Sequence, residues 1–462
     1  MASRNRTTQE IWRIETTKRA LEANFNKFVA GSKAIGRDGI SPSIYKRELR
    51  KNIVRLNHSV RSGKVTFAPY QQILKSKGAN KPPREIALPI VRDRLLLRAM
   101  SNVLREVEPA SSVELAQSKV ARIIDALGEK RYTHFLKLDV INFYPSIDHS
   151  WLRAVLIRLL KRANLVDLYM SAVEVETLST SSRRTGLRNA VGVPQGLAIS
   201  NGLAELAVHH VDQAIIEQPN VAYFRYVDDI LILTVGDHSA DLWPKVKQVL
   251  SLAGLKAHEM GHGEAKSSKG LISEGFDFLG YSFTWPRVSV RDPSINRLES
   301  SIARCFTRYR YALEGSARAP DWPQRCAKKL EWHLNLIVTG CVFEENRLGW
   351  LAYFSQIRHH QLLRHLDALI ERQMTRRSVS SFTPKTFVDS YRFAASRKED
   401  ESGFIPNFDT MTVDEMRQIL GEIFFVILKD LKSMNDDQVR ARFKKKISGL
   451  VVELERDIQA SY

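Results

Sequence analysis

The chain has 462 residues, 44% hydrophobic and 26% charged, a composition typical of a globular protein and a length too great for one ordinary core. Lys and Arg number 70 against 51 Asp and Glu, and the net charge of +19 favours polyanionic partners. The three cysteines, Cys305, Cys326 and Cys341, form no C-x-x-C pair, which argues against a zinc ribbon or disulfide framework and suits a reducing compartment.

In chain order, "MASRNRTTQEIW" lacks the apolar core of a signal peptide, so a cytoplasmic protein is expected. Residues 7–30 read as helix, "GRDGI" at 36–40 as a turn, and 43–62 as helix again. "KSKGANKPPREIALPIV" starts as a basic Gly/Pro loop and ends as a short strand. "RDRLLLRAMSNVLREVEP" is a periodic helix closing near Pro109. Residues 133–141 alternate like a strand. Helix is expected from Trp151 to about Leu178, with Ser150 as N-cap. The polar "STSSRRTGLRN" then leads to "VGVPQGLAISNGLAELAVHHVDQAI", a loop followed by a long helix. Two short strands flank Asp228 and Asp229, helix returns over 240–254, and "FDFLGYSFTW" at 276–285 reads as a strand or hairpin. Beyond about 290 the pattern is almost wholly helical. Residues 397–412 make the best linker candidate, and Thr412 with Glu415 a capping box for a last helical segment. The longest apolar runs, such as "IFFVIL" at 423–428, are too short to span a bilayer.

Two strands carry acids among apolar residues: "LKLDVINFYPSIDH", with Asp139, and "YFRYVDDILI", with Asp228 and Asp229. Burying an unpaired carboxylate is costly, so something must compensate. Two divalent ions about 4 Å apart would do so and would support an in-line phosphoryl transfer. The alternative from spacing alone is two unrelated acids in loops. His209–His210 and His359–His360 are adjacent pairs pointing in different directions on a helix, with no acid or cysteine cluster beside them, and read as structural or as facing nucleic acid.

"YVDD" at 226–229 resembles the x-x-D-D hairpin of reverse transcriptases, and further stretches match in order. "REIALPIVRDRLLLRAM" (84–100) resembles the fingers motif of group II intron and retron-type enzymes, and "LKLDVINFYPSIDH" (136–149) the first palm motif. "GVPQGLAISNGLAE" (192–205) resembles the motif around Pro-Gln-Gly, and "FDFLGYSF" (276–283) the primer-grip hairpin. "GRDGIS" (36–41) resembles a short N-terminal motif of the bacterial enzymes. The resemblance covers about residues 30–290 and implies an α+β right-hand polymerase: fingers, a palm with an antiparallel sheet, a helical thumb, and a helical C-terminal extension. N-terminal helices and fingers are expected over 1–130, palm over 131–290, thumb and extension over 291–395, and a linker with a C-terminal helical segment over 396–462.

The resemblance also implies roles. Asp139 and Asp228 would be the main ligands of two Mg²⁺ ions, with Mn²⁺ able to substitute. Asp229 would support the second ion or the hairpin, and the carbonyl of Val140 would complete a shell. Tyr144 would block a 2′-hydroxyl and so favour dNTPs, with Phe143 facing the other way. Arg84 would hold the triphosphate, because guanidinium binds phosphate oxygens in pairs. Lys77 is a second triphosphate candidate, with Lys75 and Lys81 able to replace it. Gln195 would meet nucleotide or template and Gly196 would admit the backbone close to it. Leu279, Gly280 and Tyr281 would form the primer grip. Arg92 and Arg94 would pair with acids such as Asp93 or touch template backbone. Lys266 falls near the family's pyrophosphate-protonating lysine, Lys256 and Lys269 compete with it, and a solvated lysine is the other reading. The sequence departs from the common pattern at Asn201, where proline is frequent, and at Glu205, where asparagine is. Both departures are expected to affect helix entry rather than chemistry.

The region after 290 mixes Arg, Lys, Tyr and Trp along helices, as expected for gripping a duplex. Its last part resembles the extension of bacterial defence-associated or abortive-infection reverse transcriptases. The expected activity is RNA-directed DNA synthesis from a primer 3′-hydroxyl, in an antiviral defence system with a dedicated non-coding RNA. The expected partners are RNA template, DNA product, dNTPs and a second protein, with no membrane. Two other readings stand: a template-independent or protein-primed polymerase of the same fold, and a vestigial RNA-binding maturase or scaffold.

Overall fold

A computed structural model describes residues 6–76, 82–111, 114–182, 186–261, 265–314, 320–395 and 403–459. The chain divides into two units: Met1–Leu115 with Lys130–Gly270, and Ala116–Glu129 with Leu271–Tyr462. Lys77 and Lys81 lie outside the described residues, and so does part of the expected linker.

The first unit is built on a four-stranded sheet in the order Val221–Tyr226, Asp229–Thr234, His134–Asp139, Ser268–Leu271. Its first two strands form a hairpin, and the second pairs antiparallel with His134–Asp139 in a register that sets Asp139 opposite Asp229. Ile230, Leu231, Ile232 and Leu233 are all fully buried, so this strand is covered on both faces and reads as an unbroken apolar run. The helix Ser200–Ile216 packs against Val221–Tyr226. A second sheet orders Arg84–Leu88, Tyr70–Lys75 and Thr177–Leu178.

Some long helices of the sequence reading are broken into shorter ones. Residues 7–30 split into Thr8–Glu15, Lys18–Asn24 and a π-turn Phe25–Val29, because the Thr17 hydroxyl accepts from Ala20 N–H and starts a new helix. The helix expected from Trp151 is His149–Leu160, followed by Ala163–Val173. Its cap is Asp148, not Ser150: Asp148 has extended backbone, and its Oδ1 accepts Trp151 N–H at 2.7 Å.

The second unit begins with an antiparallel meander, Phe276–Phe278, Tyr281–Thr284 and Arg287–Val290, and is otherwise mainly helical. A small hairpin, Cys341–Phe343 with Asn346–Leu348, interrupts the helices and was not anticipated. Its turn puts Glu344 and Glu345 at positive φ, where glycine or asparagine is usual, and the Asp409 carboxylate accepts both of their N–H groups at 2.8 Å. The described part of the expected linker is therefore packed: Phe408 is buried and its N–H donates to Val342 O. The Thr412–Glu415 capping box is formed. Among the described residues no helix is long and apolar enough to cross a membrane.

Candidate active site

Asp139 ends its strand, and Asp228 sits in the two-residue turn between Tyr226 and Asp229. Val140 N–H donates to Asp228 O at 3.1 Å, which ties the turn to the strand carrying Asp139. Burial pushes the Asp228 carboxyl above the usual range; its own backbone N–H opposes this, Asp139 adds to it, and Arg84 and Lys266 oppose it. Lys266 Nζ stands 3.0 Å from Asp139 Oδ2 and 3.0 Å from His258 Nε2. Lys266 Nζ donates to Asp139 Oδ2, and His258 Nε2 lies 3.2 Å from the same oxygen. Lys266 is thus held at the carboxylate rather than merely solvated. His258 was not anticipated; its backbone N–H also donates to Asp139 O, which fixes it beside the acid.

These acids, with cationic side chains beside them, suit a hard divalent ion that shares phosphate oxygens as ligands. Among the described residues, no three His, Cys, Asp or Glu side chains are grouped so as to hold a metal ion.

The turn itself is strained. Val227 has φ 55°, at a hairpin position that favours glycine. Such a backbone persists only where its surroundings hold it. Arg225 does so from the preceding strand. Its Nε and Nη2 donate to Asp212, both Nη atoms donate to Glu205, and Nη1 also donates to Val227 O at 3.2 Å. These five bonds use every N–H of the guanidinium, and only 7% of the side chain is exposed. Burial opposes its charge, but the bonds and charges of Asp212 and Glu205 outweigh burial and hold it firmly protonated. Tyr223 Oη also donates to Asp212. Glu205 therefore does more than adjust helix entry: it holds the arginine that braces the turn carrying Asp228. The signal in the sequence was an arginine inside an apolar strand, with Glu205 and Asp212 seven residues apart on one helix face.

Tyr144 is half-buried in the short helix Phe143–Ser146, and Phe143 faces the core as expected. The Pro-Gln-Gly loop is laced to this helix and to the second sheet. Val193 N–H donates to Tyr144 O, and Ala87 N–H donates to Gln195 O at 2.7 Å. Gly196 has φ +100°, and a Cβ there would lie 2.6 Å from Ile86 Cγ2 and 3.0 Å from Ala87 O. Gly196→Ala is expected to lower nucleotide incorporation about tenfold or more, with a lower melting temperature, by shifting this loop off the strand that starts at Arg84. Incorporation and thermal unfolding measured on one preparation check it. Arg84 is exposed, and its charge acts on both Asp228 and Tyr144.

Other candidates fall elsewhere. Arg92 pairs with Asp93 at 2.7 Å, and Arg94 donates to Ala34 O. His210 bonds Val249 O and packs on Trp151, which is structural. Leu279, Gly280 and Tyr281 are buried: Tyr281 Oη donates to Tyr353 O, and Tyr353 Oη donates to Leu279 O. The side chains expected to form the primer grip are thus packed within a hairpin of the second unit. Positive φ at Leu279 and Gly280 makes that turn tight, as the glycine suggested.

Residues 73–283 match the family described as reverse transcriptase (RNA-dependent DNA polymerase). No curated protein matches. Among solved structures, the chain is similar to telomerase from Candida albicans in complex with a TWJ fragment of telomeric RNA. That match has 14% identity and a TM-score of 0.42, over 86% of this chain and 69% of that one. It is also similar to apo telomerase from Candida tropicalis truncated from its C-terminal domain, at 18% identity and a TM-score of 0.34, over 55% of this chain and 61% of that one. At these scores the likenesses carry no functional argument.

Proposed function

Because the chain carries a reverse transcriptase domain and is an RNA-directed DNA polymerase, we propose that Asp139 and Asp228 are its catalytic carboxylates and that it extends a primer 3′-hydroxyl with dNTPs. The observation that carries this reading is Asp228, charged at a cost and tied by its backbone to the strand that ends in Asp139. Reverse transcriptase domains use divalent metal ions, which activate the hydroxyl and stabilise charge on the phosphates. Here Asp139, Asp228, Asp229 and the carbonyl of Val140 would hold Mg²⁺, with Mn²⁺ as substitute. The chain's own residues do the rest. Arg84 binds the triphosphate, Gln195 and Gly196 form the floor under the templating pair, and Tyr144 closes the space beside the sugar. As the hydroxyl gives its proton to bulk water and its oxygen bonds to the α-phosphorus, the bond from that phosphorus to the α–β bridging oxygen breaks and pyrophosphate leaves. Lys266 Nζ, beside Asp139, is the candidate donor of its proton.

The wider setting is a cytoplasmic antiviral defence system with a dedicated non-coding RNA, supported by the basic charge and by the resemblance of the C-terminal extension. Purified protein should incorporate labelled dNTPs with Mg²⁺ or Mn²⁺, and Asp228→Ala/Asp229→Ala should not. Equal inactivity across varied templates and co-purified RNA would sink the polymerase reading. Sequencing the co-purified RNA separates a defined template from random cellular RNA. Tyr144→Ala should raise rNTP use relative to dNTP use about tenfold or more. An unchanged ratio removes the gate role.

A further inference from the structure

We propose that Asn201 is a positioning residue for sugar discrimination, tethering the ring of Tyr144 through its hydroxyl; this rests on the gate reading above. Tyr144 Oη donates to Asn201 Oδ1 at 2.9 Å, across 57 residues of sequence. Asn201 lies in the first turn of the helix Ser200–Ile216. The start of that helix is fixed from below, since Ser200 Oγ donates to Pro194 O at 2.5 Å and Ser200 N–H to Leu197 O. The backbone that carries Asn201 is therefore held in place.

The other end of Tyr144 is fixed too. Its carbonyl accepts Val193 N–H at 2.8 Å, and its ring meets Phe143 edge-on, with centroids 5.2 Å apart. A steric gate works by refusing to yield. A ring held only at Cβ can swing away from an added oxygen, whereas one held at its tip must first break a hydrogen bond. Burial first, and the charge of Glu205 next, keep the phenol protonated, so it remains a donor. Glu205 lies one turn beyond Asn201 on the same helix face, and the same carboxylate grips Arg225. One stripe of one helix thus holds both the gate and the turn that carries Asp228. Proline, frequent at this position in the resembling family, has no side-chain acceptor. The tether is a property of this chain's departure from that pattern.

The test compares kcat/KM for rNTPs and dNTPs in wild type, Asn201→Ala, Asn201→Asp, Tyr144→Phe, Tyr144→Ala and the Asn201→Ala/Tyr144→Phe double variant. Asn201→Ala should raise the rNTP/dNTP ratio about three- to tenfold, the size expected for one hydrogen bond. Asn201→Asp, which keeps an acceptor, should stay near wild type. The double variant should go no further than either single one, since both remove the same bond. A ratio unchanged in Asn201→Ala but raised in Tyr144→Ala overturns the tether and leaves the gate standing. A ratio unchanged in Tyr144→Ala overturns the gate, and the tether with it. Asn201 is exposed, so loss of folding should not mask the result.

Discussion

Asp228→Asn should abolish incorporation, by about a thousandfold or more, and yet melt higher than wild type in EDTA. On the proposed mechanism, the charge that the chemistry needs is a burden to the fold. Burial raises the Asp228 carboxyl above its usual range, with Asp139 adding to the effect. A carboxyl whose folded value is raised contributes stability below its unfolded value, and that contribution is lost as pH rises through the folded value. At neutral pH the wild type therefore bears the cost of the charge and the amide does not. The melting gain should be a few degrees, at about 2–4 °C per kcal/mol for a unit of this size. It should shrink as pH falls through the raised folded value, where the wild-type group takes up its proton. Adding Mg²⁺ should reverse the order, because ion binding stabilises only the protein that keeps its ligands. Differential scanning fluorimetry across pH, with and without Mg²⁺, checks all three. A variant that melts lower in EDTA would mean that Asp228 is satisfied by the protein alone.

Arg225→Met should produce the largest loss of stability of any single change near the site. It strands Glu205 and Asp212, whose side chains are only 11% and 17% exposed, each without its guanidinium. Breaking a buried pair from one side costs about 3–5 kcal/mol. It also removes the bond to Val227 O and releases a strained turn one residue from Asp228. Neutralising the stranded acids separates the two effects. In Arg225→Met/Glu205→Gln/Asp212→Asn, the melting temperature should partly recover while incorporation stays low. Recovery of both together would show that Arg225 serves only the fold. Arg225→Lys should fall between, since three donors replace five.

Part of this protein is legible in its residues taken in order. The acids in apolar strands, the Pro-Gln-Gly loop, the tight turn at Gly280 and the capping box at Thr412 each obey local rules of burial, backbone freedom or capping. They appear in the fold where the sequence places them. The helix break at Thr17 and the helix start at Asp148 are local as well, but each is decided by one side-chain bond that periodicity does not register. The hairpin at 341–348 and the packed segment around Phe408 stayed hidden, because they exist through each other: Asp409 holds a turn more than sixty residues before it.

What only the tertiary structure decided is the support of the site. Tyr144 and Asn201, Arg225 and Glu205, and Lys266 and Asp139 are pairs separated by 57, 20 and 127 residues. Hydrogen bonds and ion pairs act over a few ångströms, and chain order does not reveal which distant side chains will share that space. The sequence by itself determined the chemistry, because an acid placed in an apolar strand needs compensation wherever that strand lies. The folded chain determined which side chains brace those acids, because bracing depends on neighbours that the sheet register and one face of the helix Ser200–Ile216 bring together.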